Sequence, residues 1–408
     1  MIQGFVRSFV RIGRLTYIDA RGRATQYGDG TGPQITARLK PGAMLRIMRR
    51  PTLAIGECYT DGSLSFEQGD IYAFLDLIGR NFAHDPARRP RYGWSRRAWF
   101  GLQRRLAHLN DTRAARRNVA HHYDLSTELY RRFLDADMQY SCAYFARPDM
   151  TLEEAQAAKK AHIAAKLLLR PGLSVLDIGC GWGGLALTLA HIAEGVRVQG
   201  ITLSDEQLAV ARGRAEAAGL AERVRFDLTD YRELQGAFDR IVSVGMFEHV
   251  GRPQFQTYFD RIAALLAEDG VAVVHAIGRR SEPGVTNPWM SKYIFPGGYI
   301  PALSETIEAV ERSGLWVTDV EVLRVHYAET LRAWRERFDA QREEIAALFD
   351  EQFCRMWEYY LAASEIAFRH GGFMVFQLQL ARSQTAVPLT RDYLAQAERE
   401  AAEAASAA

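Results

Sequence analysis

Beyond Asn118 the apolar residues come in short continuous runs, separated by stretches whose apolar positions recur at helical spacing. The runs Leu173–Ile178, Val196–Ile201, Val224–Asp227, Phe238–Val244 and Val271–Ala276 read as strands buried on both faces, and Ala155–Leu169 and Glu206–Ala218 as helices between them. That alternation predicts an α/β fold built on a doubly wound parallel sheet. Up to about Gly79 the pattern differs. Brief apolar runs break at Tyr27-Gly28-Asp29-Gly30 and Asp61-Gly62, and one helix, Asp70–Arg80, puts Ile71, Phe74, Leu75 and Ile78 on one face. A smaller α+β domain is therefore expected over 1–110, a larger domain over 111–390 and an Ala/Glu-rich tail over 391–408.

The length of 408 residues accords with two cores, and 48% hydrophobic with 25% charged residues excludes wholesale disorder. The net charge of +2 conceals a basic segment. From Arg80 to Arg117 the arginines, among them Arg88, Arg89, Arg96, Arg97, Arg104 and Arg105, are opposed only by Asp85 and Asp111. Such a run is usually a solvated face; against anionic lipid it is worth about 1 kcal/mol per basic residue. Cysteines 58, 142, 180 and 354 lack the spacing of a zinc or redox pair, which points to a reducing cytoplasm. The adjacent pair His121-His122 gives no ground for a metal site. Arginines interrupt the apolar residues of the N-terminus, so no signal peptide is expected, and no run is long enough to span a bilayer. Any membrane contact is expected to be peripheral.

The first chemical motif closes the strand at 173–178. Gly179-Cys180-Gly181-Trp182-Gly183-Gly184 matches G-x-G-x-x-G between a strand and a helix, a pattern that also fits NAD. Asp177 argues against a dinucleotide, because its carboxylate would face a pyrophosphate of like charge. The ammonium and sulfonium of S-adenosylmethionine would meet it favourably. After the second strand, Thr202-Leu203-Ser204-Asp205-Glu206-Gln207 offers Gln207 or an acid to the ribose, whereas Ser204 suits the N-cap of the next helix.

Further segments are His121-His122-Tyr123-Asp124-Leu125-Ser126, Gln139-Tyr140-Ser141-Cys142-Ala143-Tyr144-Phe145 and Ser243-Val244-Gly245-Met246-Phe247-Glu248-His249-Val250-Gly251. To these add His275-Ala276-Ile277-Gly278, Asn287-Pro288-Trp289, Lys292-Tyr293-Ile294-Phe295-Pro296-Gly297-Gly298 and Thr330-Leu331-Arg332-Ala333-Trp334. Together they resemble the cyclopropane fatty acid synthase family, densely from about Asn118 to Arg382 and more loosely in the N-terminal third. The resemblance implies a Rossmann-like class I S-adenosylmethionine methyltransferase fold with an N-terminal domain for lipid binding or dimerisation. It implies that the methyl carbon of S-adenosylmethionine is added across a cis double bond of a phospholipid acyl chain while bicarbonate removes a proton. A bicarbonate site is implied at Cys142, Glu248, His275, the backbone of Ile277, and Tyr327. A cofactor site is implied at Tyr140, Ser141, Gly179, Gly181, Thr202, Leu203 and Gln207, beside Asp177, with Tyr231 and Arg232 near the adenine.

The residue types suit that chemistry. An isolated alkene is a weak nucleophile, so it must be held in near-attack geometry, in a site that tolerates a cation. Aromatic faces at Tyr123, Tyr140, Tyr144, Phe247, Trp289, Tyr293, Phe295 and Tyr327 offer cation–π contacts of about 0.5 to 2 kcal/mol each. Any one of them is as readily a core residue, and Cys142 alone reads as a small buried hydrophobe. Grouped between proline and glycine, Trp289, Tyr293 and Phe295 suggest an acyl-chain lid. A small exchangeable base spares a side chain from alkylation; Glu248 and His275 would orient it and take its proton, and Tyr327 and Cys142 would complete its shell. The expected partners are membrane phospholipids with unsaturated acyl chains at the inner face of the cytoplasmic membrane, with a homodimer allowed and no nucleic acid. Two rivals remain: methylation without ring closure, and a non-catalytic lipid carrier on an inherited cofactor fold.

Overall fold

A computed structural model describes residues 6, 7, 9–84 and 127–407, and side chains as far as residue 400. Most of the arginine-rich segment, with His121, His122 and Tyr123, lies outside the described residues. The chain forms two compact units, and the division is not the sequential one expected. One unit draws on Met1–Gln103, Thr286–Pro296 and Ala328–Phe373, and the other on Arg104–Val285, Gly297–Tyr327 and Met374–Ala408.

In the first unit a four-stranded sheet has the order β2-β1-β3-β4, where β1 is Arg14–Ile18, β2 Ala24–Tyr27, β3 Gln34–Leu39 and β4 Leu64–Gln68. The predicted turns are present: Asp29 Oδ1 accepts from the N–H groups of Gly13 and Thr31, and Asp61 Oδ1 from that of Ser63. The predicted helix extends to Ile71–His84, started by Asp70, whose Oδ1 accepts from Ala73 N–H at 2.7 Å. Its Asn81 accepts from the N–H groups of Arg11 and Ile12 and donates to Ile12 O, tying the N-terminal segment to the helix. Trp289 is fully buried in this unit, 4.5 Å from the ring of Tyr359, and a Cβ at Gly56 would sit 2.5 Å from its indole nitrogen. Trp289 is therefore a core residue rather than the face of a lid. Tyr293 is tethered beside it, its hydroxyl donating to Glu57 at 2.9 Å.

The second unit holds a seven-stranded sheet of order β10-β11-β9-β8-β5-β6-β7. The strands are β5 Ser174–Ile178, β6 Arg197–Thr202, β7 Val224–Leu228, β8 Phe238–Val244, β9 Leu266–Arg279, β10 Trp316–Leu323 and β11 Phe373–Ala381. Neighbours from β7 to β9 run parallel, and β10 runs antiparallel to β11. Both faces are covered, which is why these strands read as unbroken apolar runs. Val175, Val198, Val242 and Val273 pack on one side, under helices Leu152–Leu167, Gly184–Ile192 and Asp205–Ala217. Leu176, Ile241, Val274 and Leu378 pack on the other, with Phe259 and Ile262 of helix Phe255–Leu265. Phe247 belongs to that second core, fully buried and 4.5 Å from the ring of Phe255. The C-terminal segment is helical over Asp392–Ala407.

Candidate active site

The strand order reverses at β5, with β6 on one side and β8 on the other, and ligands of open α/β sheets bind in the crevice outside the carboxyl ends at such a point. There Gly179 and Cys180 both donate their N–H groups to Ile201 O, at 2.9 and 3.0 Å, turning the chain sharply off β5. Gly181 has φ +55°, and a Cβ placed on it would meet no atom within 4 Å, so its backbone borders open space. Asp177, one residue before the end of β5, is buried, and its Oδ2 has no hydrogen-bond partner among the described residues. Burial pushes its carboxyl up to about 7, opposed by the charge of Lys159. A buried acid with an orphaned oxygen is a seat for a cation and hostile to a pyrophosphate. S-adenosylmethionine fits it through the ammonium, and the dinucleotide alternative does not.

At the end of β6, Thr202 Oγ1 donates to Gln207 Oε1 at 2.9 Å, which leaves the amide N–H groups as the donors Gln207 presents. Ser204 caps the following helix by accepting from Gln207 N–H, the structural role expected of it. The loop after β7 is drawn alongside by Thr229 N–H, which donates to Thr202 O. On that loop Tyr231 stands edge-on to Tyr258, and Arg232 is held by Asp230 at 2.7 Å.

Tyr140, Ser141 and Cys142 lie on an irregular loop secured from behind by helix Leu152–Leu167. That helix opens with a capping box formed by Thr151 and Glu154. Gln156 Nε2 donates to Gln139 O and Ser141 O at 3.1 and 2.9 Å. One turn on, the fully buried Lys159 donates from Nζ to Gln139 Oε1 at 2.5 Å and to Ser141 Oγ at 2.9 Å. The same loop presses on the end of the glycine turn, because a Cβ at Gly184 would lie 2.5 Å from both Asp137 Oδ2 and Gln139 Nε2. Further along, the ring of Tyr144 is stacked on those of His162 and His326, at 4.4 and 5.1 Å. Phe145 N–H donates to His326 Nδ1 at 3.0 Å, which brings the neighbouring Tyr327 to the loop that carries Cys142.

The remaining candidates meet at the ends of β8 and β9. Gly245 N–H donates to His275 O, and Ile277 N–H donates to Glu248 Oε1 at 2.6 Å. The Ile277 amide is thus committed to the carboxyl group rather than open to an ion. Glu248 Oε2 is buried without a hydrogen-bond partner among the described residues, and burial pushes this carboxyl up to about 7. Gln377 Nε2 stands 3.1 Å from His275 Nδ1. Burial holds His275 well below its ordinary value, which keeps it neutral. The sequence reading casts it as a proton acceptor, and a neutral imidazole has one nitrogen that accepts and one that donates.

Residues 110–378 match the family described as mycolic acid cyclopropane synthetase. The chain belongs to that family. It is 38% identical over 354 residues to the cyclopropane-fatty-acyl-phospholipid synthase of Escherichia coli K12, covering 87% of this chain and 89% of that one. It is also 38% identical over 387 residues to the tuberculostearic acid methyltransferase UfaA1 of Mycobacterium tuberculosis, covering 90% and 87%. Among solved structures, the mycolic acid cyclopropane synthase CmaA1 complexed with SAH and CTAB is similar at 35% identity and a TM-score of 0.61, over 65% of this chain and 97% of that one. This member of the family is an S-adenosylmethionine-dependent methyltransferase.

Sequence reasoning missed Gln156, Lys159 and Gln377. The signal for the first two is their spacing: they share the buried helix face of Leu152, Ala155, Ile163 and Leu167, where polar residues need a specific partner. Gln377 alternates with Phe376 and Leu378 in β11, a strand the sequence reading did not identify.

Proposed function

We propose that the enzyme adds the methyl carbon of S-adenosylmethionine to a cis double bond of an unsaturated phospholipid acyl chain and closes a cyclopropane ring, with bicarbonate as the proton acceptor. The observation that carries this reading is Glu248, a buried carboxyl whose Oε2 has no hydrogen-bond partner among the described residues, tied through Oε1 to the strand that carries His275. When bound, bicarbonate would supply a small exchangeable base, sparing a protein side chain from alkylation. Glu248 Oε2 would accept from its hydroxyl, while His275 and the Tyr327 hydroxyl would donate to its oxygens; the Cys142 thiol, which donates to Ala143 O at 3.3 Å, would turn to the ion by giving up that bond. S-adenosylmethionine supplies the electrophilic methyl group; Asp177 seats its ammonium, and Tyr140, Ser141, Gly179, Gly181, Thr202, Leu203, Gln207, Tyr231 and Arg232 surround the rest.

The lipid substrate places the enzyme at a membrane surface by peripheral contact, since no helix among the described residues is long and apolar enough to cross a bilayer. The cytoplasmic face is the side proposed, and the N-terminal segment is proposed to serve lipid contact or pairing of two copies. Chromatography and mass spectrometry of lipids from cells making the protein test this reading. Cyclopropane acyl chains are expected, and Glu248→Gln is expected to abolish them. A methyl-branched or methylene product without a ring would overturn ring closure, and full activity of Glu248→Gln would overturn the bicarbonate site.

A further inference from the structure

Helix Leu152–Leu167 carries a group that the proposed reaction does not use. Lys159 is fully buried, and its ammonium is directed at the loop that holds Tyr140, Ser141 and Cys142. Asp135 and Asp137 of that loop face it, as do the Cys142 thiol, Lys160 on its own helix, Asp177 on β5 and His275 on β9. Gln139 relays it outward, accepting from Lys159 and donating through Nε2 to Asp137, which is itself paired with Lys160 and Arg214.

The chemistry of the Ser141 contact is directional. An ammonium has three donors and no acceptor, whereas a hydroxyl has one proton and two lone pairs. Because Lys159 donates to Ser141 Oγ, the hydroxyl proton cannot point back to Lys159. No described residue accepts it. It is left to an acceptor brought into the site, and the anionic acceptor that S-adenosylmethionine carries is the carboxylate of its amino-acid tail.

We propose that Lys159 is a positioning residue for the cofactor: its ammonium turns the Ser141 hydroxyl outward as a donor to the cofactor carboxylate, while Asp177 takes the ammonium of the same tail. The inference rests on the assignment of Ser141 and Asp177 to the cofactor site. Burial lowers the Lys159 pKa to about 8, so the donating form still predominates at pH 7. A neutral amine there would accept the Ser141 proton and reverse the orientation.

Two ligands separate this role from a merely structural one. S-adenosylhomocysteine has the amino-acid tail, and 5′-methylthioadenosine has the nucleoside and the sulfur without it. Calorimetric titration of the full chain at pH 7 is expected to show Lys159→Met weakening S-adenosylhomocysteine by about tenfold, the worth of one charge-assisted hydrogen bond. Its affinity for 5′-methylthioadenosine should stay within twofold. Ser141→Ala should do the same, and the double variant should be no weaker than either single one, since both remove one interaction. Equal loss of both ligands in folded Lys159→Met, or additive losses in the double variant, overturns the proposal. Should Lys159→Met fail to fold, Ser141→Ala decides alone: unchanged affinity for S-adenosylhomocysteine overturns it. Wild-type protein that binds neither ligand would instead overturn the cofactor assignment, and the proposal with it.

Discussion

Two segments of the second unit that are proposed to hold the cofactor are held by opposite means. The turn Asp177–Gly184 is shaped by its own backbone: Gly179 and Cys180 share one carbonyl of the adjacent strand, and a positive φ at Gly181 opens the path to a ligand. The loop from Asp135 to Phe145 is shaped from outside by Gln156, Lys159 and His326, which bind its carbonyls, hydroxyl and N–H groups. A site of this kind is only as ordered as its less local half, so substitutions well away from the cofactor are expected to reach it through the loop.

The strongest test strikes the turn. Asp177→Asn should cost S-adenosylhomocysteine affinity about 3 kcal/mol or more, roughly a hundredfold, by removing one partner of a buried ion pair; titration calorimetry reads it. An intact affinity would mean that the loop alone holds the tail. The same carboxyl gives a stability signature in the ligand-free protein. Asp177 binds its proton more tightly in the fold than in the unfolded chain, rising from 3.8 to about 7. Its contribution is therefore whole below about pH 4 and is lost as pH rises towards 7. Urea unfolding between pH 5 and 7 should show stability falling, with Asp177 contributing up to about 1.4 kcal/mol per pH unit. Asp177→Asn should remove that contribution, leaving the parallel one of Glu248, which rises from 4.5 to about 7.

A smaller effect is expected from the helix behind the loop. Gln156→Ala deprives two carbonyls of their donor, at a cost of about 1 to 3 kcal/mol in stability. It should also weaken S-adenosylhomocysteine by about tenfold; unchanged binding would show the loop to be self-supporting. The smallest effects belong to the caps. Thr151→Ala and Ser204→Ala should each lower stability by about 1 kcal/mol in thermal unfolding, with binding held within twofold.

The turn was legible because strand, glycines and acid are contiguous, and the strand Phe238–Val244 was read with both ends as they stand. β10 and β11 were not recognised. Asp319 and Glu321 point to Lys166 and His162, and Gln379 to the backbone of Lys166, so interior polar residues break the apolar signal. The motif residues Glu248 and His275 were found, but their surroundings were not: the Gln377 contact to His275 Nδ1 spans 102 positions. Tyr144 and Phe247 were legible as aromatics, while their commitment to histidine stacking and to the core required the packed structure.

By itself the sequence determined the α/β class, the glycine turn after β5 with its preceding acid, S-adenosylmethionine as the methyl donor, and the family, because each is written in adjacent residues or in recurring short motifs. Only the tertiary structure decided that Thr286–Pro296 and Ala328–Phe373 join the N-terminal unit, that Trp289 is core, and that Gln156 and Lys159 hold the loop. The physical reason is that buried polar groups are satisfied by whichever partner the fold brings within about 3 Å, and sequence distance does not constrain that choice.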